Sequence, residues 1–417
     1  MHTDTPARLK PAPATARLTP DPSPAGPTPG PSASLTAREN ATHLRKWFGA
    51  TVEFVIATFA ITLMVIGVGA NRGWLDAHVL PSFLLPRDWF VAIQTGIRVA
   101  LAAVGAWTFA YVRPAAGRLA RHAPGRALPV VAAVVLAVVA SEPALRRIEF
   151  RPVGWLSVDD EPRRRADTRL GWTLVPSRVG HARVGDRIVE YAIDAHGYRV
   201  ADITQPVDRA RPSIVFTGES VMFGEGLPWN ESIPAQVGAI TGVQGANLAV
   251  HGFGNDQAYL RLVAELPHFA RPVAVVSLFM PSLFGRNMDH ERPHLNAGLI
   301  WSPPVQRWRV QSLLRFMVPY RSTSLIDQGV SLTREIFAAT AALARHRGAT
   351  PVIVVPQFGE ETGQERSLRQ RIFNGLDVPV AFVPLDPAWR LPWNRHPDAR
   401  AAHAIAQAIA QRLALKK

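Results

Sequence analysis

Three short runs hold residues that can do chemistry together. In "FTGESVMFGEGL", Ser220 follows an apolar stretch and Gly218. A serine at such a strand-to-helix turn is either a helix cap or a nucleophile. In "NLAVHGFGNDQ", Gly252 and Gly254 permit close backbone approach, so the Gly252 amide is either an oxyanion donor or part of a plain glycine turn. In "WNRHPDARAAHAIAQAIAQRL", His396 precedes Pro397 at the expected entry to a helix, which puts an imidazole on a loop. A hydroxyl that attacks a carbonyl, an imidazole that carries its proton and amides that hold the oxyanion are the parts of acyl transfer. The serine run is not the Gly-x-Ser-x-Gly elbow, because Met222 stands where its second glycine is needed, and "GEGL" is not a phosphate loop.

Composition narrows the chemistry further. The 417 residues include no cysteine, which removes thiolate nucleophiles, zinc-thiolate sites and iron-sulfur clusters together. No metal is expected at the histidines: His181 and His196 have no second ligand at metal spacing, and His290 and His294 fall in an Arg-containing loop read as surface. His251 can line the cleft, and His403 is read as a packing residue. No cofactor is expected.

The elements that must position Ser220 and His396 follow from periodicity. After Pro212 the runs "SIVFTG", "ANLAV", "VAVVSLF", "PVIVVP" and "VAFVPL" alternate with helical patterns, including Leu325 to Arg347, Glu365 to Phe373 and Pro397 to Leu413, with Asn255 placed to cap another. Short apolar runs between amphipathic helices predict an α/β fold, a parallel sheet covered on both faces. Ligands in such sheets sit beyond the carboxyl ends of the strands, where both Ser220 and His396 fall.

The upstream half is of another kind. Residues 1–46 hold nine prolines up to Pro31 and are read as a disordered tail with no cleaved signal peptide. Three apolar stretches follow, 47–70, 89–112 and 127–145, the first with Glu53 and the second with Arg98, read as a helix-packing or snorkelling residue. Arg113, Arg118, Arg121 and Arg126 in the second loop, with the basic tail, predict that both sit in the cytoplasm. Three crossings would then make a multi-pass protein of the cell (inner) membrane with everything after Leu145 outside the cytoplasm. The lipid bilayer is thus an expected partner. Topology accounts for much of the net charge of +14, and nucleic acid is not expected as a partner. Residues 146–210 read as a β-rich lead-in module, and 211–417 as the catalytic domain.

The three runs, in order and on these elements, resemble the SGNH, or GDSL-like, hydrolases, and the resemblance covers about 211–417. "LGWTLVPS" and "IDAHGYR" are similar to a small module that precedes this domain in many membrane-linked or exported members. The resemblance implies a flavodoxin-like three-layer sandwich, with Ser220 as nucleophile, His396 as base and the amides of Ser220 and Gly252 as oxyanion donors. Three departures stand out. Glu219 replaces the Asp beside the serine. The Gly-x-Asn-Asp block gives way to "MPSLFGRNMD", where Asn287 is the nearby amide that could be a third donor. The acid positions before the histidine hold Trp393 and Asn394. Asn394 can still accept a hydrogen bond, and Asp386 or Asp398 could serve as the acid.

These observations lead to a Ser-His dyad, in a membrane-tethered extracytoplasmic esterase or transacylase acting on acyl esters, O-acetyl groups among them, of a surface glycan or lipid. The alternative is a degenerate SGNH domain that binds glycan or a partner protein without turnover.

Overall fold

A computed structural model describes residues 31–83, 87–147, 160–317, 320–392 and 394–414. Residues 1–30 of the tail, 148–159 of the lead-in and Trp393 lie outside the described residues. The first helix, α1 (Pro31–Gly69), takes in residues 31–46, which the composition assigned to the tail. Pro31 is the last proline before a run rich in Ala, Leu, Arg and Lys, all good helix formers. A short α2 (Arg72–His78), capped by the Asn71 side chain accepting from the Trp74 amide, follows. Then come α3 (Arg87–Trp107), a π turn at Thr108–Val112, α4 (Arg113–His122) and α5 (Pro124–Arg147).

Among the described residues, two helices are long and apolar enough to cross a membrane, Thr42–Gly69 and Asp88–His122. The sequence reading expected three; α5 forms where the third was placed, with Pro129 and Pro143 inside it, but is not one of the two. α1 and α3 pack closely at small residues. A Cβ on Gly105 would meet the Ala60 carbonyl at 2.7 Å, and one on Gly67 the Arg98 carbonyl at 2.7 Å. Arg98 has the helix-packing role, donating from Nε to the Gly67 carbonyl (3.1 Å) and from Nη2 to that of Val68 (3.3 Å), which the end of α1 leaves without helical partners.

The rest is built on one sheet. A small antiparallel pair, β1 (Arg164–Asp167) and β2 (Gly171–Leu174), leads into β3 (Arg178–Val184), β4 (Arg187–Ile193) and β5 (Arg199–Val200). Next come β6 (Pro212–Thr217), α6 (Ser220–Phe223), α7 (Ile233–Thr241), β7 (Gln244–Asn247), α8 (Asn255–Glu265) and β8 (Arg271–Leu278). A 3-10 stretch at Pro281–Met288 and a hairpin of β9 (His294–Asn296) and β10 (Ile300–Ser302) precede α9 (Arg309–Met317) and α10 (Thr323–His346). The chain closes with β11 (Thr350–Phe358), α11 (Gly363–Phe373), β12 (Val380–Leu385) and α12 (Ala399–Ala414).

The sheet order is β12-β11-β8-β6-β7-β5-β4-β3. β12 to β7 pair in parallel, whereas β5, β4 and β3 add antiparallel strands through Arg199 opposite Asn247. Strands β3 to β5 of the lead-in therefore continue the same sheet, covering an edge of β7 that would otherwise stand open, while β1 and β2 form a separate pair. Alternation within β6 explains its unbroken apolar run. Ile214 and Phe216 face the core under α12, while Val215 faces the opposite core with Leu262 and Phe269. From β6 the chain moves to β7 on one side and β8 on the other, which opens a crevice at the carboxyl end of β6.

Candidate active site

At that crevice the strand-end turn decides what Ser220 does. The N-cap of α6 is Glu219, not the serine: its Oε2 accepts from the Val221 amide (3.0 Å) and from Ser220 Oγ (2.7 Å). The capping alternative thus falls to the neighbouring residue. Ser220 Oγ lies 2.7 Å from Nε2 of His396, and both residues are buried, at 3% and 7% exposed.

Gly252 stands on the adjacent loop. Its φ of +84° lies in the left-handed region that favours glycine. The loop is tied to the serine turn by the Val250 amide donating to the Gly218 carbonyl (3.2 Å), and the Gly252 carbonyl accepts from Arg292 (2.7 Å). Asn287 does not join them. Both protons of its amide are engaged, to Asn255 Oδ1 (3.1 Å) and Thr333 Oγ1 (2.9 Å), and its oxygen accepts from the Asn255 amide (2.8 Å). That residue fastens the 3-10 stretch to α8 and α10. Asn255 itself sits inside α8, its side chain on the Leu278 carbonyl, rather than capping the helix.

The support of His396 also differs from expectation. Asn394 Oδ1 accepts from the backbone amide of His396 (3.1 Å), not from its ring. Asp386 is used by the Ala388 amide, and Asp398 by the amides of Arg400 and Ala401. Asp398 thereby caps α12, which begins at Ala399, while Pro397 is held before the helix in a bridge with Arg390. Among the described residues Nδ1 of His396 is buried with no hydrogen-bond partner.

Charged groups near Nε2 went unnoticed in the sequence. Glu225 Oε2 lies 3.6 Å from it, and Arg286 Nη1 lies 3.9 Å from Glu219 Oε2. Burial pushes His396 down to about 4, with Arg286 and Arg390 acting in the same direction and Glu219 against them. Burial pushes Glu225 up to about 7, opposed by Arg286 and Arg164. His251, edge-on to Phe223, is held down at about 3 by burial and the positive charges of Arg164, His396 and Arg286. The resting pair is thus a neutral imidazole beside a serine hydroxyl.

Arg199 was missed as well. Fully buried, it donates to the carbonyls of Phe223 (2.8 Å), Gly224 (2.7 Å) and Leu227, and lies over the rings of Tyr191 and Phe223. The lead-in strand β5 thereby fixes the turn after the nucleophile. The signal available in sequence was only an arginine beside a tyrosine in "GYRV". Away from the site, His294 is buried and stacked on His290 rather than surface, and His403 is exposed with Nδ1 2.6 Å from Gln236, not packed in the core.

No family model matches this chain, and no curated protein does. Solved structures that resemble it include a member of the lipolytic protein G-D-S-L family from Veillonella parvula (12% identity, 48% of this chain and 96% of that one, TM-score 0.30). An acetyl xylan esterase from the rumen bacterium Butyrivibrio proteoclasticus is another (12% identity, 51% of this chain and 65% of that one, TM-score 0.31). Independently of these, the chain's own architecture, with Ser220, Gly252 and His396 at the carboxyl end of its parallel strands, agrees with the SGNH, GDSL-like resemblance of its three sequence blocks.

Proposed function

We propose that the chain is a serine esterase or transacylase working through a Ser220–His396 dyad on acyl esters, O-acetyl groups among them, of a surface glycan or lipid. The 2.7 Å contact between Ser220 Oγ and His396 Nε2 carries this reading. Ser220 attacks the ester carbonyl as Nε2 takes its proton; the alcohol leaves with that proton. Water or an acceptor hydroxyl then attacks the acyl-serine, its proton passing through the same nitrogen back to Ser220. The amides of Ser220 and Gly252 are the oxyanion donors in this scheme.

The tautomer limits the rate. Attack needs the proton on Nδ1 and a bare Nε2, yet Nδ1 has no acceptor among the described residues. In the other tautomer Nε2–H donates to Ser220, whose own proton goes to Glu219 Oε2, so the serine hydroxyl both accepts and donates and the pair is idle. A slow enzyme is the consequence. The same observation favours the second reading, a degenerate domain that binds glycan or a partner protein without turnover.

In this reading α1 and α3 anchor the enzyme in the cell membrane, with its catalytic domain outside the cytoplasm; the two long apolar helices support it. Residues 74–83, between these helices, touch the catalytic domain, as when the Arg321 amide donates to the His78 carbonyl (2.8 Å). If α1 and α3 cross the bilayer, loop and domain share one side only where the chain crosses once more after α4. α5, apolar from Leu128 to Ala140, is the segment for it.

The test is fluorophosphonate labelling of the purified full chain. Wild type labels at Ser220 and hydrolyses a short p-nitrophenyl ester, and Ser220→Ala loses both with an unchanged melting temperature. No labelling of folded wild type would favour the binding domain.

A further inference from the structure

The segment between α1 and α3 lies along the catalytic domain through several separate contacts. Val79 forms an antiparallel bridge with Tyr320, and Trp74 stacks on that ring at 5.5 Å between centroids. Gln364 donates to the carbonyls of Asp76 and Val79. Leu80 packs among the buried side chains beneath α10 and α11. At the end of this segment Phe83, 8% exposed, meets the imidazole of His396 edge-on, with centroids 5.0 Å apart and planes at 63°. The guanidinium of Arg390 lies over the Phe83 ring at 5.4 Å.

An imidazole that must alternate between serine and leaving group has to be held in orientation, and a carboxylate on Nδ1 does this in Ser-His-Asp sites. Here the backbone of His396 is tied by Asn394, but a backbone hydrogen bond leaves rotation about χ1 and χ2 free. The Phe83 ring, packed against the imidazole in this tilted geometry, restricts that rotation by contact and helps keep water off it. We propose that Phe83 is the positioning residue for His396, supplied to the catalytic domain by the loop between the two apolar helices. Competence of the site therefore depends on docking of the loop between these helices. The proposal rests on His396 being the base of the proposed reaction.

Three measurements on the full chain test it. Phe83→Leu keeps an apolar side chain in the core but removes the ring edge, and Phe83→Tyr keeps the edge. Expected for Phe83→Leu is a kcat on p-nitrophenyl acetate lower by about tenfold to a hundredfold with KM nearly unchanged, and near wild-type rates for Phe83→Tyr. The acid limb of the kcat profile of Phe83→Leu should move up toward the ordinary imidazole value of about 6.5, because water reaches the ring. An unchanged or faster kcat in folded Phe83→Leu overturns the proposal. Diethylpyrocarbonate modification of His396, read by mass spectrometry, needs no turnover and separates this failure from failure of the esterase reading. Modification should be slow in wild type and faster in Phe83→Leu at the same melting temperature; equal rates overturn the positioning role whether or not wild type hydrolyses esters. Because the chain has no cysteine, Val79→Cys with Tyr320→Cys gives a clean cross-link across the bridge, whose strand spacing suits a disulfide. Failure to form it under oxidation overturns the docking.

Discussion

Nε2 of His396 lies 2.7 Å from Ser220 Oγ, and Nδ1 of the same ring meets no partner among the described residues. One edge of the base is thus engaged and the other is held only by packing.

Asn394 reaches the backbone of His396 and not its ring. Asn394→Ala should cost about 1 kcal/mol of stability through the lost hydrogen bond and lower turnover by loosening the loop. Asn394→Asp keeps the acceptor, adds a negative charge close to the imidazole and should raise its pKa and the rate. Unfolding midpoints and ester turnover of the three proteins at one pH check this; a lower rate in a folded Asn394→Asp would contradict it.

Turnover should have two limbs. The neutral imidazole that acts as base is present above about 4, so activity should persist at pH 5, where an ordinary histidine would be protonated. Glu225, beside Nε2 and held up at about 7, acquires its charge near neutrality and then stabilises the imidazolium formed during attack. The rate should rise again through pH 7 in wild type. Glu225→Gln should keep the first limb and lose the second, as a pH–rate profile would show.

Stability should fall on acidification, with His251 as a main contributor. Its folded value of about 3 lies below the ordinary 6.5, so between these values the unfolded chain binds the extra proton and stability rises with pH. The cost is absent above about 6.5 and grows as pH drops toward 3. His396 acts in the same sense down to about 4, while Glu225, raised in the fold, opposes both between about 4.5 and 7. The melting temperature of His251→Gln should therefore decline less from pH 7 to 5 than that of wild type; equal slopes would contradict the assignment.

Arg199 holds three carbonyls of the nucleophile turn from a site without solvent contact. Arg199→Lys cannot reproduce the planar fork and leaves carbonyls unpaired, at a cost of about 2–4 kcal/mol. Fluorophosphonate labelling of Ser220 should slow in parallel with the drop in melting temperature. A stable, fully active Arg199→Lys would remove β5 from the support of the site.

Close packing of α1 on α3 depends on Gly105, where any side chain would run into the Ala60 carbonyl. Gly105→Leu should separate the two helices and weaken the Arg98 contacts, lowering extraction yield and thermal stability in detergent, whereas Gly96→Leu, which meets nothing within 4 Å, should not.

What the sequence determined by itself was local. Apolar runs of five or six residues between amphipathic patterns fix an α/β sheet because burial on both faces demands them, and the order of the Ser220, Gly252 and His396 runs places those residues at strand ends. The apolar stretches near residues 47–70 and 89–112 are likewise legible, since hydropathy is summed along the chain. Only the tertiary structure decided how the polar atoms share their partners. Glu219 rather than Ser220 caps α6, Asn287 spends its amide on Asn255 and Thr333, and Asn394 turns to the backbone, because each hydrogen bond goes to the nearest unpaired group in space. β5 joins β7 and Arg199 reaches the nucleophile turn for the same reason, while Phe83 meets His396 through ring packing. Such contacts join distant parts of the chain through packing, and no periodicity or motif spacing records them.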